Sequence, residues 1–131
     1  MSKSSFHILR VGTAITFLWI GILIFQDPEG WGSYIAPWVV ELLPFSVKTV
    51  MIDTAILDIA IGALLLFDFL TPWAALMGAL HIFSVIAVSG VNEATVRDIA
   101  IVSGTLALFA DSVPERVKEK IMFWKKKNYQ N

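Results

Sequence analysis

Four apolar runs dominate this chain, at about residues 6–25, 47–69, 73–90 and 95–110. A helix needs about 20 mostly apolar residues to cross roughly 30 Å of hydrocarbon at 1.5 Å per residue. The first three runs approach or exceed that length and the fourth is the shortest. None alternates apolar with polar residues, so a barrel is not indicated. In lipid the backbone must satisfy its own hydrogen bonds, which leaves helices. The expectation is an all-α integral membrane four-helix bundle. Composition agrees: 56% of residues are apolar, 16% are charged, and mean hydropathy is +0.72. Soluble domains carry about a quarter charged residues.

With 131 residues, one domain is expected: a bundle over 1–112 and a basic amphipathic tail over 113–131. "MSKSSFHILR" precedes the first run as in a signal peptide, but no small-residue cleavage site follows, so that run is read as a retained span. There is no cysteine, which removes disulfides and thiolate metal sites. A net charge of -1 gives no case for nucleic acid.

Punctuation separates the runs. Asp27-Pro28-Glu29-Gly30 ends the first. Ser46 is placed to cap the second, and Thr71, with Pro72 behind it, to cap the third. Eight of the ten basic residues flank the first span or lie in the tail: Lys3, Arg10, Arg116, Lys118, Lys120 and Lys125–Lys127. The opposite loops carry Asp27, Glu29, Glu41 and Glu93. The excess of cations on one side predicts cytoplasmic termini and a multi-pass protein of the cell membrane.

The connection between the first two spans, "GWGSYIAPWVVELLP", places Trp31, Tyr34, Ile35, Trp38, Leu42 and Leu43 on one side of a helix broken near Pro37. It reads as a short interfacial helix, acting as an aromatic anchor or as a lid over a site between the helices. In the tail, Ile121, Phe123 and Trp124 would face lipid while Lys118, Lys120 and Lys125–Lys127 meet anionic headgroups, each contact worth about 1 kcal/mol. A docking site for a partner protein is the other reading.

Ionisable residues inside spans are costly, about 2.5–3.5 kcal/mol each, and are functional candidates by default. Arg10, Asp68 and Asp111 lie at similar height near the cytoplasmic ends. Arg10 can clamp Asp68 or Asp111, or snorkel. Asp53 lies roughly 9 Å into span two, Asp58 roughly 16 Å, and His81 roughly 12 Å into span three from the other side. Asp58 and His81 therefore reach similar depth and can meet. Two readings follow: a hydrogen-bonding site for a buried polar group such as a quinone headgroup, or an interhelical bond that sets packing. One imidazole at membrane depth argues against a metal site built from imidazoles and leaves a carboxylate-rich site of Asp53, Asp58 and His81 as the minor alternative.

Thr95-Val96-Arg97-Asp98 matches a capping box with Asp98 at its third helical position. Arg97 lies at the wrong end of the helix dipole. It must snorkel or find a carboxylate, with Asp53 the leading candidate and Glu93 and Asp98 the alternatives. The ligand candidates are thus Asp58, His81, Asp53 and Arg97; Arg10, Asp68 and Asp98 are the structural set. Small residues, among them Ala14, Gly21, Ala55, Gly62 and Gly78, let helices pack closely.

An Arg opening span one before "GTAITFLWIGILIFQDPEGW", the "LDIAIGALLL" of span two and the "ATVRDIAIVSGTLAL" that opens span four are similar to segments of the DoxX-like family of small four-span prokaryotic membrane proteins. The resemblance covers about Arg10 to Asp111. It implies a four-helix membrane bundle. It also implies, by some members, a link to thiosulfate oxidation coupled to quinone reduction, and, by others, redox or detoxification complexes. Two functions stay open: a redox-associated subunit with a quinone- or lipid-type site and a soluble partner at the cytoplasmic face, or a non-enzymatic carrier or assembly subunit whose buried charges are structural. The chain has no covalent cofactor motif, and it could form a homo-oligomer.

Overall fold

A computed structural model describes residues 1–129. All regular structure among them is helical: α1 (Lys3–Gln26), α2 (Pro28–Gly32), α3 (Pro37–Val40), α4 (Val47–Leu66), α5 (Thr71–Ser89), a 3-10 turn (Thr95–Arg97), α6 (Asp98–Ser112) and α7 (Glu115–Tyr129). α1, α4 and α5 are long and apolar enough to cross a membrane. They are also apolar on their outward faces, where Ile8, Trp19, Phe25, Ile56, Trp73, Leu80 and Phe83 are exposed. Helices apolar all round belong in lipid or in a large core.

α1 packs chiefly on α4 and α5 chiefly on α6, with lighter contact between the two pairs. The α1–α4 seam follows from spacing. α1 buries Arg10, Thr13, Ala14, Phe17, Gly21 and Ile24; α4 buries Met51, Ala55, Asp58, Ile61, Gly62 and Leu65. Steps of three and four residues keep one stripe facing the partner. Two glycines bring the backbones together. A Cβ on Gly21 would lie 2.9 Å from the Ala55 carbonyl oxygen, and one on Gly62 2.9 Å from the Ala14 carbonyl oxygen. Without hydrophobic drive between helices in lipid, such contact is the attractive force available. On α5, Gly78 meets the Phe17 ring of α1 and the Thr105 methyl of α6. The core of Phe17, Ile61, Leu65, Ala74, Ala75 and Leu108 fills the half of the bundle nearest the chain termini.

At that end Arg10 is buried, at 8% exposure. Its guanidinium donates to the carbonyls of Leu65 and Leu66, and its Nε lies 3.6 Å from Asp68 Oδ1. The last carbonyls of a helix lack internal donors, so Arg10 closes the end of α4. Asp111, the other expected partner, pairs instead with the Met1 amino group at 2.9 Å. Asp68 and Leu70 take positive φ, 55° and 51°, to turn the chain tightly into α5.

Local details depart from the sequence reading. Thr71 does not cap α5: it is the first helical residue, and its hydroxyl donates to Asp68 Oδ1 at 2.6 Å, tying the turn that precedes the helix. The capping box at Thr95 does not form. The Asn92 side chain accepts from the N–H groups of Ala94 and Thr95, while the Thr95 hydroxyl donates to the Gly90 carbonyl. An Asx turn at Asn92 therefore starts the segment, and Asp98 becomes the first residue of α6. The connection after α1 is two short helices rather than one broken helix, because Pro28 and Pro37 each begin a new turn. Ser46 does cap α4, accepting from Thr49 N–H at 3.2 Å. In α7, Met122 and Phe123 are exposed; the expected placement of Ile121, Trp124 and Lys125–Lys127 falls on side chains outside the described residues.

Candidate functional site

The half of the bundle opposite the chain termini holds a cavity of about 900 Å³. The helix spacing that closes the other half opens here. α1 contributes Thr16, Trp19, Ile20 and Leu23; α4 contributes Asp53, Thr54, Leu57 and Asp58; α5 contributes His81, Val85 and Val88; Arg97 and the start of α6, with Asp98 and Ile101, complete the helical wall. α2 and α3 form a strap across it, with Trp31, Tyr34, Ile35, Val39 and Leu43 in the wall. The strap is fastened at both sides. Asp27 accepts from Gly30 N–H to start α2, and Ala36 N–H donates to the Val88 carbonyl at the end of α5, 3.0 Å away. Trp38 and Leu42, expected on the same side as the others, are exposed and outside the wall, because the second short helix turns them away.

All four ligand candidates line this one cavity. Asp58 and His81 are its buried polar floor, with side chains 2% and 9% exposed and His81 Nε2 3.1 Å from Asp58 Oδ1. The pair is close but badly aligned. Neither atom makes a sound hydrogen bond with any described group. An unsatisfied buried polar atom costs about 1–3 kcal/mol. Both sit beside open volume, so a guest carrying a donor and an acceptor could relieve that cost.

Asp53 and Arg97 are exposed members of the wall. The expected clamp between them is absent: among the described residues no carboxylate lies within 4.0 Å of Arg97. Arg97 lies in the 3-10 turn, whose tighter winding re-aims side chains relative to a continuous α-helix. Asp98, expected in a structural role, makes no ion pair within the same limit among the described residues and is instead a half-buried part of the wall. It lies within electrostatic range of Asp58 and His81. Its spacing holds a clue: Asp98 and Ile101 share a face, and Ile101 packs inward.

Among the described residues no cluster of three His, Asp or Glu is placed to hold a metal ion. The arrangement suits a mainly apolar molecule with one polar head. Such pockets are lined by apolar and aromatic side chains, with a few polar groups that fix orientation. No family model matches the chain, and neither a curated protein nor a solved structure matches it.

Proposed function

We propose that this chain is a DoxX-like integral membrane protein that holds a quinone- or lipid-type molecule between its helices, with the polar head at Asp58 and His81. The observation that carries the reading is the pair of buried, unpartnered polar atoms on the floor of an apolar cavity of about 900 Å³. A quinone headgroup has oxygens that accept from an imidazole N–H in the quinone form and donate to a carboxylate in the quinol form. The chain itself supplies no electron carrier. A soluble redox partner at the cytoplasmic face completes the redox reading; without one, the same cavity makes the protein a carrier.

α6 serves as the fourth span in this reading. Its 15 helical residues rise roughly 22 Å, and the three-residue 3-10 turn adds roughly 6 Å, close to the hydrocarbon thickness. The strap then lies at the outer interface with its aromatic residues, and both termini are cytoplasmic.

The test is isothermal titration of detergent-purified protein with decyl-benzoquinone. Asp58→Asn and His81→Ala are each expected to weaken binding at least tenfold, about 1.4 kcal/mol, with unchanged helical circular dichroism. Equal affinity in all three proteins would remove the site.

A further inference from the structure

The cavity has two seams, and they differ in chemistry. Between α4 and α5 its wall includes Asp53 and Ser84, both exposed and polar. Between α1 and α6 its wall includes Ile15, Thr16, Trp19 and Ile101, with the Thr16 hydroxyl already donating to the Gly12 carbonyl. Ile15 is 54% exposed and Trp19 is 63% exposed, although both also line the cavity. A side chain that belongs to the cavity wall and to the outer surface at once marks an opening.

The packing of α1 on α6 explains why an opening lies there. Near the chain termini the two helices touch: a Cβ on Gly104 would lie 3.5 Å from Leu9 Cδ1 and 3.7 Å from Thr13 Oγ1. Further along, that contact gives way to cavity wall. The strap does not compensate, since its anchor runs to Val88 on α5, away from this seam.

We infer that the α1–α6 seam is a lateral gate through which the apolar tail of a membrane-borne amphipath extends into the bilayer, while its polar head rests at Asp58 and His81. The inference rests on the proposed reading of the cavity as the seat of a polar head, and it adds the class of ligand: a head on a long hydrocarbon or isoprenoid chain, arriving from lipid rather than from water. The chemistry of the opening selects that class. An Ile–Trp–Ile rim offers a hydrated molecule little to bond to, whereas each methylene left among apolar side chains avoids a transfer cost. Asp53 and Ser84 make the α4–α5 side, although it also carries Leu57 and Val85, the less favourable exit for the same tail.

The experiment compares a tailless dimethoxy-methyl-benzoquinone with its decyl derivative, by calorimetry in detergent, on wild-type protein and on Ile15→Trp and Ile101→Trp, which fill the seam. Wild type should bind the decyl compound at least tenfold more tightly than the tailless one. The seam-filling variants should remove that advantage, so that the decyl compound binds no more tightly than the tailless one; a tenfold advantage kept in both variants would overturn the gate. Equal binding of the two compounds by wild type would overturn the gate and leave the head site standing; no binding of either would overturn both. A second measurement needs no variant. A decyl quinone bearing a diazirine at the tail end, photolysed in wild-type proteoliposomes, should label Ile15, Trp19 or Ile101. Labelling confined to the strap or to the α4–α5 seam would overturn the gate.

Discussion

Arg10 and the Asp58–His81 pair are both buried charges or near-charges in apolar helices, and they are treated in opposite ways. Arg10 reaches two carbonyls of α4 and approaches Asp68, in a half of the bundle packed solid by Phe17, Leu65 and Leu108. Asp58 and His81 stand 3.1 Å apart without a sound hydrogen bond, beside empty volume. A buried charge that spends one terminal nitrogen on two carbonyls, leaving only Nε without a hydrogen bond but 3.6 Å from a carboxylate, is explained by the fold. A buried polar pair with its capacity unspent is not, and its cost must be offset by something the fold does not supply. Depth in the membrane, which makes all three residues stand out in the sequence, does not separate the two cases.

The comparison breaks first at Arg10. Arg10→Ala takes the guanidinium donor from the Leu66 carbonyl, leaves the Leu65 carbonyl with the Asp68 N–H, and leaves Asp68 without its nearby cation. The expected loss is about 3 kcal/mol, measured as unfolding in mixed micelles, and it is the largest of the effects expected here. Quinone affinity per folded molecule should stay at the wild-type value, because Arg10 lies outside the cavity wall. Reduced affinity in folded Arg10→Ala protein would join the two ends of the bundle into one functional unit.

The paired glycines sharpen the contrast. Gly62→Ala places a Cβ 2.9 Å from the Ala14 carbonyl oxygen and the Leu18 nitrogen, in backbone that cannot yield locally. α1 and α4 must separate, at an expected cost of about 1–3 kcal/mol in the same unfolding assay. Gly21→Ala makes a similar clash with the Ala55 carbonyl, and its Cβ also comes within 3.2 Å of the Asp58 Cβ. Both variants should lose stability, but Gly21→Ala alone should also lose quinone affinity. Equal loss of affinity in both would mean that the cavity responds to helix spacing as a whole rather than to the seat of Asp58.

Much of this contrast is legible in the sequence. Apolar run length marks the α1, α4 and α5 segments, since it reports on backbone that must bond to itself. Helical rise puts Asp58 and His81 at matching depth, and their side chains do face each other. Height alone ties Arg10 to Asp68 or Asp111 without choosing between them. What chooses Asp68 is the turn at positive φ between α4 and α5, which brings that carboxylate and the last α4 carbonyls to the same place. The start of α6 escapes the sequence for a similar reason. Thr95, Asn92 and Gly90 compete for the same few hydrogen bonds, and a capping-box pattern does not reveal that Asn92 takes the donors first. That local outcome makes Asp98 part of the cavity wall rather than a capping residue, and it leaves Arg97 apart from Asp53.

The smallest expected effect on stability is also the most direct attack on the comparison. Asp58→Leu combined with His81→Leu removes both unpartnered polar atoms and replaces them with apolar volume. If the pair exists to hold α4 against α5, its removal should cost stability, as loss of a bonded interhelical pair does. The geometry argues otherwise: the two groups already carry the cost of burial without the return of a hydrogen bond, and apolar replacement of buried polar pairs is often neutral or stabilising. The double variant should therefore unfold within about 1 kcal/mol of wild type, or later, while binding no quinone. A loss above about 2 kcal/mol would make the pair a packing device like Arg10, and the contrast between the two halves of the bundle would collapse.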